Sequence, residues 1–532
     1  MTTTETRTPE LLPQADSGGV KRRYFGLTAG VVLAAITYFA IPADAARVAS
    51  EAAGRMDDPF AAGPIKLVAA LTVLMAVWWM TEAIPLAATS LIPIALFPVL
   101  SVTADFDMAG APYASGTIFL FMGGFILALA MQRWNLHRRM ALFVVDLVGT
   151  KPTRLIGGFM IATGFITMWV SNTATAVMML PLGVSILGLV GQMAGTGAGG
   201  KGSGKASRAA GAVSQVVQTN FGTALMLGIA YASSIGSLST LIGTPPNTVL
   251  RGYMSSTFGI EIPFGKWLLA GAPLSVVFLV FTWWMLTHVL FKPEIKDIPG
   301  GRELIKAERR ALGPWSAGER WVAIVFALAA LSWIFIPTVF ASWGVKDEMI
   351  AMVMAVVLFL LPADLKKGVM VMDWHTAKNL PWDVLLLFGG GLSLSAAITS
   401  TGLSHYVGDR ASGLGALPTP LLVVVVTAMI IFITELTSNT ATANVFLPIM
   451  GGVAVGLGLD PMLLCVPVAL AATCAFMLPV ATPPNAVAYG SGYVSMGSMI
   501  KGGLWLNLAG IVLIVGAMYA AFIPLLNITL GR

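Results

Sequence analysis

Apolar runs long enough to cross a bilayer as helices follow one another from Tyr24 to Leu526, parted by short polar or charged stretches. About 20 apolar residues in an α-helix cover the hydrocarbon core of a membrane. The pattern predicts spans near residues 24–42, 65–85, 87–102, 115–132, 219–254, 266–291, 320–341, 348–363, 382–399, 462–490 and 502–526. Two of them are broken by Pro-Pro, near 243–247 and 481–485. Two further apolar segments, 153–190 and 419–457, hold the polar tripeptide Ser-Asn-Thr near their middles. Each reads as a re-entrant hairpin. Its polar tip then sits inside the membrane, where non-helical backbone must line a cavity. The predicted fold is an all-α polytopic membrane protein of about eleven transmembrane helices and two re-entrant hairpins.

The polar interruptions repeat. Ser171-Asn172-Thr173-Ala174-Thr175-Ala176 returns as Ser438-Asn439-Thr440-Ala441-Thr442-Ala443, 267 positions later. The same offset aligns Phe121-Met122-Gly123-Gly124 with Phe388-Gly389-Gly390-Gly391. Gly243-Thr244-Pro245-Pro246-Asn247 has its partner in Ala481-Thr482-Pro483-Pro484-Asn485, offset by 238. A flexible Gly/Ser/Lys-rich insertion at 191–218 accounts for the difference. The chain divides into a cytoplasmic tail (1–23), a first span with an external loop (24–63), repeat one with its hairpin (64–291), a charged cytoplasmic linker (292–319) and repeat two with its hairpin (320–532). Each repeat starts on the opposite side of the membrane from the other. Such inverted repeats are a transporter signature, because two near-equivalent halves can exchange inward- and outward-open states.

Composition narrows the class. A chain that is 57% hydrophobic and 11% charged is no soluble domain. Its net charge of +6 concerns orientation rather than nucleic acid. With the N-terminus in the cytoplasm, 23 of the 31 Lys and Arg fall in inside loops, as the positive-inside rule requires. The C-terminus is then external. If either hairpin segment crossed the membrane only once, every later loop would swap sides and this bias would decay. Lys21-Arg22-Arg23 precedes the first apolar run, and Ala43-Asp44-Ala45 resembles a signal-peptidase site. The run exceeds the usual signal-peptide core of about 7–15 residues, so it reads as an uncleaved span. Cys465 and Cys474 share one apolar stretch and are too few for a disulfide framework or a metal cluster.

The four motifs offer a distinct chemistry. A Ser-Asn-Thr tip starts a helix whose unpaired N–H groups and positive dipole end face the cavity, and Ser and Asn are good N-caps. Two facing tips suit an anion with two negative ends. Thr hydroxyls and Asn amides can donate to carboxylate or sulfate oxygens. The breaks at Gly243-Thr244 and Ala481-Thr482 free backbone carbonyls, which suit a hard cation such as sodium. No Lys, Arg or His lies within the motifs, and the nearest in sequence is Arg251. A dianion buried without a cationic side chain is costly, so bound cations offset what the helix ends leave.

Other residues read more plainly. The glycine runs at 123–124 and 389–391 predict close helix packing. Glu435, three residues before Ser438, is a proton or cation site, or a capping and pairing group within the hairpin. Glu82 and Asp383 fall near span ends, and Asp146 in a connector. The four His residues are scattered and form no ligand pair. Trp78-Trp79 and Trp283-Trp284 fit interfacial belts.

These motifs resemble the divalent anion/sodium symporter family of the ion-transporter superfamily, the carriers of dicarboxylates, citrate and sulfate. The resemblance runs from about Pro64 to Leu526. It implies a homodimer whose protomers each have a scaffold domain and a transport domain. The transport domain moves as a rigid body in an elevator-like motion, with substrate and two sodium ions between the hairpin tips. Carried over by motif, one sodium site takes Thr167, Ser171, Asn172 and the backbone of Gly243. The other takes Thr434, Asn439 and the backbones of Thr437 and Ala481. Relatives have Ser at the first of these positions and Ala at that of Thr437. Substrate contacts fall on Asn172, Thr173, Asn439, Thr440, Thr482 and Pro483, with Ser171, Ser438 and Thr244 close by.

The expected function is sodium-coupled symport of a C4-dicarboxylate, such as succinate, malate or fumarate, across the plasma membrane, the inner membrane in a bacterium. The expected partners are substrate, sodium, the lipid bilayer and a second copy of the chain, with no nucleic acid. A sodium-independent dicarboxylate exchanger and a citrate or sulfate symporter are rivals within the fold. An anion channel would need a continuous polar pore, and here the polar residues converge on one spot. A membrane hydrolase would need a Ser/His or metal constellation, which no span offers.

Overall fold

The computed structural model describes residues 17–103, 105–149, 151–196, 219–295, 297–298 and 300–530. Most of the 191–218 insertion and of the N-terminal tail lies outside these residues, although the first helix already begins at Ser17. The architecture is all-α; the described strands are the short antiparallel pair Pro362–Asp364 and Val369–Met370. Seven described helices are individually long and apolar enough to cross a membrane. The other predicted crossings are the short helices from Leu86 to Leu96 and Asp347–Leu360, and two broken helices. The 87–102 span is shorter than predicted. It forms Leu86–Thr89 and Ile92–Leu96, then turns, because Pro93 and Pro98 remove the donors a continuous helix needs.

Both Ser-Asn-Thr segments are hairpins. The first pairs Pro152–Thr167 with Asn172–Thr196, and the second pairs Thr419–Thr434 with Asn439–Gly456. Each hairpin enters with Pro at its first helical turn, where a missing N–H costs nothing. Pro181 and Pro448 interrupt the return helices at equivalent positions, extending the 267 offset. Both Pro-Pro motifs also start helices. The first break joins Asn220–Ser237 to Pro245–Phe258, and the second joins Pro461–Thr473 to Pro483–Gly490.

Two sets of helices can be distinguished, and they pack on each other, as Pro245–Phe258 does on Trp382–Ser400. One, the frame, contains Ala62–Thr81, Gly116–Arg133, Ala317–Val339, Asp347–Leu360 and Trp382–Ser400. The other, the hairpin group, contains both hairpins, both broken helices, Phe264–Trp284 and Met496–Ala517. Leu136–Val148 leads from the frame into the first hairpin, and Leu403–Arg410 leads into the second. The linker helix Gly301–Ala311 packs against Leu136–Val148 and returns the chain to the frame. Ion pairs tie this corner, including Arg139 Nε to Glu319 Oε1 at 2.7 Å and Arg309 Nη1 to Asp146 Oδ2 at 2.8 Å.

The glycine runs permit close approach. A Cβ on Gly123 would lie 2.7 Å from the Ala351 backbone, and one on Gly390 would collide with the Ser90 carbonyl. Trp79 departs from the interfacial reading. It is fully buried and donates to Leu86 O and Ser90 Oγ, both at 3.2 Å, so it braces the short helix behind it.

Candidate functional site

The first hairpin tip is tied to the first break by hydroxyls. Thr167 Oγ1 donates to the Ser233 carbonyl at 2.8 Å, and Thr240 Oγ1 donates to the Met168 carbonyl at 2.5 Å. Thr240 Oγ1 also accepts the Gly243 N–H at 2.9 Å, which curls the broken segment back on itself. Asn247, in the first turn of the next helix, donates from Nδ2 to the Thr240 carbonyl at 2.9 Å. Gly243 is buried in this curl. A Cβ there would lie 2.5 Å from the Ser237 carbonyl. Overpacking of this kind costs about 1–3 kcal/mol. Gly243→Ala is therefore expected to reduce uptake roughly tenfold, the effect of about 1.4 kcal/mol, in initial-rate assays.

The second tip repeats the scheme with different atoms. Thr434 Oγ1 lies 2.9 Å from both Asn439 Oδ1 and the Ala472 carbonyl. Those three oxygens share one hydroxyl proton, so lone pairs converge where a cation would be welcome. Asn485 donates from Nδ2 to the Ala475 and Leu478 carbonyls, both at 3.1 Å. Thr482 caps its helix by accepting the Asn485 N–H at 3.3 Å. Asn247 and Asn485 are equivalent at the 238 offset and hold equivalent loops. The Oδ1 of each is buried without a protein partner.

Glu435 is a capping group here. One carboxylate oxygen accepts from Phe476 N at 2.7 Å, Met477 N at 2.9 Å and Asn507 Nδ2 at 2.7 Å. The other accepts from Met477 N at 3.0 Å and Leu478 N at 3.2 Å. Both oxygens are thus occupied in gathering the N–H groups that the second break leaves open. At the 267 offset Glu435 corresponds to Met168. The two repeats make the same tip-to-break stitch from opposite sides: Thr240 of the break reaches the first tip, and Glu435 of the second tip reaches its break.

The four motifs meet crosswise. Pro483–Gly490, after the second break, packs against the first hairpin's return helix. Pro245–Phe258, after the first break, packs against the second hairpin's return helix. Thr244 Oγ1 lies 3.3 Å from Thr473 Oγ1, joining the two broken helices directly. Ser171, Asn172, Thr173, Ser438, Asn439 and Thr440 are partly exposed at the tips, Thr244, Thr482, Gly243 and Ala481 are buried behind them, and Pro483 is exposed. Asn172 Oδ1 accepts the Thr173 N–H at 2.9 Å, and Ser171 Oγ accepts the Ala174 N–H at 3.4 Å, as N-terminal caps do. The Thr437 hydroxyl is bonded to Thr442 Oγ1 at 2.7 Å and Ile433 O at 3.0 Å, so it serves the hairpin. The donor set is hydroxyl, amide and carbonyl oxygen, with no cluster of His, Cys, Asp and Glu among the described residues. Such oxygens favour a hard monovalent or divalent cation over a transition metal.

Sequence reasoning missed the holding residues. Asn247 and Asn485 are part of the Pro-Pro-Asn repeat, and that repetition was the available signal. Thr473 lies in an apolar stretch with no marker, and Thr240 is one of several hydroxyl residues before the first break, none of which stands out.

A polytopic helical chain whose inverted repeats bring two hairpin tips and two broken helices to one place is a membrane transporter. Residues 64–528 match the family described as sodium:sulfate symporter transmembrane region, and the chain belongs to that family. It is 43% identical over 466 residues to the sodium-dependent dicarboxylate transporter SdcS of Staphylococcus saprophyticus, with 87% of each chain covered. It is 41% identical over 470 residues to SdcS of Staphylococcus aureus strain USA300, again with 87% of each covered. Among solved structures, the YdaH transporter of Alcanivorax borkumensis shares the fold at a TM-score of 0.51 and 14% identity, covering 87% of this chain and all of that one.

Proposed function

We propose that this protein couples sodium entry to the uptake of C4-dicarboxylates across the plasma membrane. The observation that carries the reading is a site built from two helix N-termini and converging oxygens, with no cationic side chain in the four motifs. The helix ends receive the two carboxylates of the substrate. Sodium supplies the positive charge that the side chains do not. One ion is held by Thr167, Ser171, Asn172 and the Gly243 carbonyl. The other is held by Thr434, Asn439 and the Thr437 and Ala481 carbonyls. Substrate contacts Asn172, Thr173, Asn439, Thr440, Thr482 and Pro483, flanked by Ser171, Ser438 and Thr244. Dicarboxylate is preferred to sulfate because relatives at 41–43% identity are named for dicarboxylates.

The frame is the scaffold domain and the hairpin group the transport domain, which moves as a body while the connecting helices flex. The N-terminus is cytoplasmic, the C-terminus external, and the working form is a homodimer. Proteoliposomes with an inward sodium gradient are expected to take up radiolabelled succinate with nothing preloaded. Uptake seen only with dicarboxylate inside, whatever the sodium, would replace the symporter with an exchanger and void the sodium sites.

A further inference from the structure

The hairpin tips are equivalent in sequence but not in surroundings. Trp169 and Leu436 occupy the same position at the 267 offset, yet Trp169 is 8% exposed and Leu436 68%. Trp169 is covered by Phe264, stacked at 5.9 Å, and by Phe326 of the frame, edge-on at 4.8 Å. Phe264 stacks in turn on Trp333 of the frame at 4.9 Å. Beside the first hairpin tip Trp169 is therefore covered by the frame, whereas Leu436 beside the second is exposed.

Beside this stack, three successive residues, Lys346, Asp347 and Glu348, grip the connection between Pro245–Phe258 and Phe264–Trp284 of the hairpin group. Lys346 Nζ reaches Glu261 Oε1 at 3.4 Å. Asp347 Oδ2 accepts the Phe264 N–H at 2.9 Å. Glu348 Oε2 pairs with Arg251 Nη2 at 2.9 Å, and Asp347 Oδ2 stands 3.7 Å from the same nitrogen. Trp333 Nε1 donates to the Asp347 carbonyl at 3.0 Å, joining the aromatic stack to the acid pair. Gly116 leaves room for Glu348, since a Cβ there would lie 2.8 Å from its Oε1. The Lys346 pair is exposed and worth little. The Arg251 pair is different. Arg251 and Asp347 are 4% and 3% exposed, so separating them uncovers buried charge. The fit is also incomplete, because Arg251 Nε and Asp347 Oδ1 are buried without partners. Unmet bonds make such a seam cheaper to open than a fully satisfied one.

We propose that Arg251, Asp347 and Glu348, with the Trp169–Phe264–Trp333 stack, form a clasp across the outer seam between the transport and scaffold domains. The clasp closes the external route to the site in this conformation, and its release is required for the outward-open state. This rests on the moving-domain and cytoplasmic N-terminus readings above. Arg251 is thus a positioning residue for the transport cycle, reserved for the scaffold and not for the substrate.

Spin labels at Ser256→Cys, on the hairpin group, and Ala114→Cys, on the frame, report the separation by pulsed EPR in nanodiscs. Both sites are exposed, and the native Cys465 and Cys474 are buried. Wild type is expected to show two distances whose weights respond to sodium and succinate. Glu348→Gln, which keeps the shape of the side chain, is expected to raise the ratio of the second distance to the first about 12-fold, the lower end of the usual range for a charge-assisted bond. Arg251→Gln with Glu348→Gln is expected to raise it further. Wild-type weights in both variants would overturn the clasp and leave the transport reading standing. A single wild-type distance under every sodium and succinate condition would sink the moving domain and the clasp together. If the double variant does not fold, Glu348→Gln decides alone.

Discussion

Succinate uptake by Asn172→Ala and by Asn439→Ala is expected to fall by about 100-fold or more, with both proteins still folded. Each asparagine has two assigned duties, one toward sodium and one toward substrate, and bonds to charged groups are worth about 1.5–3 kcal/mol each. Folding is expected to survive because little of it rests on these side chains. Asn172 and Asn439 are partly exposed at the tips, and their local bonds, to Thr173 N and Thr434 Oγ1, are few. Losses of similar size in both variants, together with lost thermal stabilisation by sodium, are the expected result. Wild-type uptake in both would end the site assignment.

The second large effect is on stability. Glu435→Ala removes the acceptor for three consecutive backbone N–H groups and for Asn507 Nδ2; the bonds to Phe476 and Asn507 are buried and those to Met477 and Leu478 partly so. An unpaired buried donor costs about 1–3 kcal/mol, so the total is expected to reach several kcal/mol. The melting temperature without sodium or succinate is the measurement. A capping role predicts a lower value there, before any ligand is added. A direct cation-ligand role predicts an unchanged apo value and a smaller sodium-induced rise. Glu435→Gln is expected to fall between, because one amide oxygen still accepts while its NH2 confronts an N–H.

Much of this protein was legible from its chain. Periodicity of apolar runs located the crossings, since a bilayer imposes one length on every helix that spans it. Two tripeptides at a common offset located the hairpins, and Pro-Pro located the breaks. What failed were local details within apolar sequence. Trp79 read as an interfacial residue and proved to be buried bracing. The 87–102 span was judged by hydropathy alone, and its prolines shortened it. Glu435 left two readings open, because a carboxylate three residues before a tip has the same sequence whether it faces a cavity or a loop of N–H groups.

The sequence by itself determined the class: an all-α transporter with inverted repeats, and the positions where helices stop inside the membrane. Those follow from covalent facts, proline's missing donor and the demand that backbone groups in lipid be satisfied. Only the tertiary structure decided which groups meet across the breaks. Packing placed Thr244 against Thr473 and Arg251 against Glu348 between the repeats, partners 229 and 97 positions apart, and Asn507 against Glu435 within the second, 72 apart. Nothing in a single chain's local pattern marks such pairs. They arise because helices distant in sequence bury their unmet bonds in each other, within a half and between the two halves.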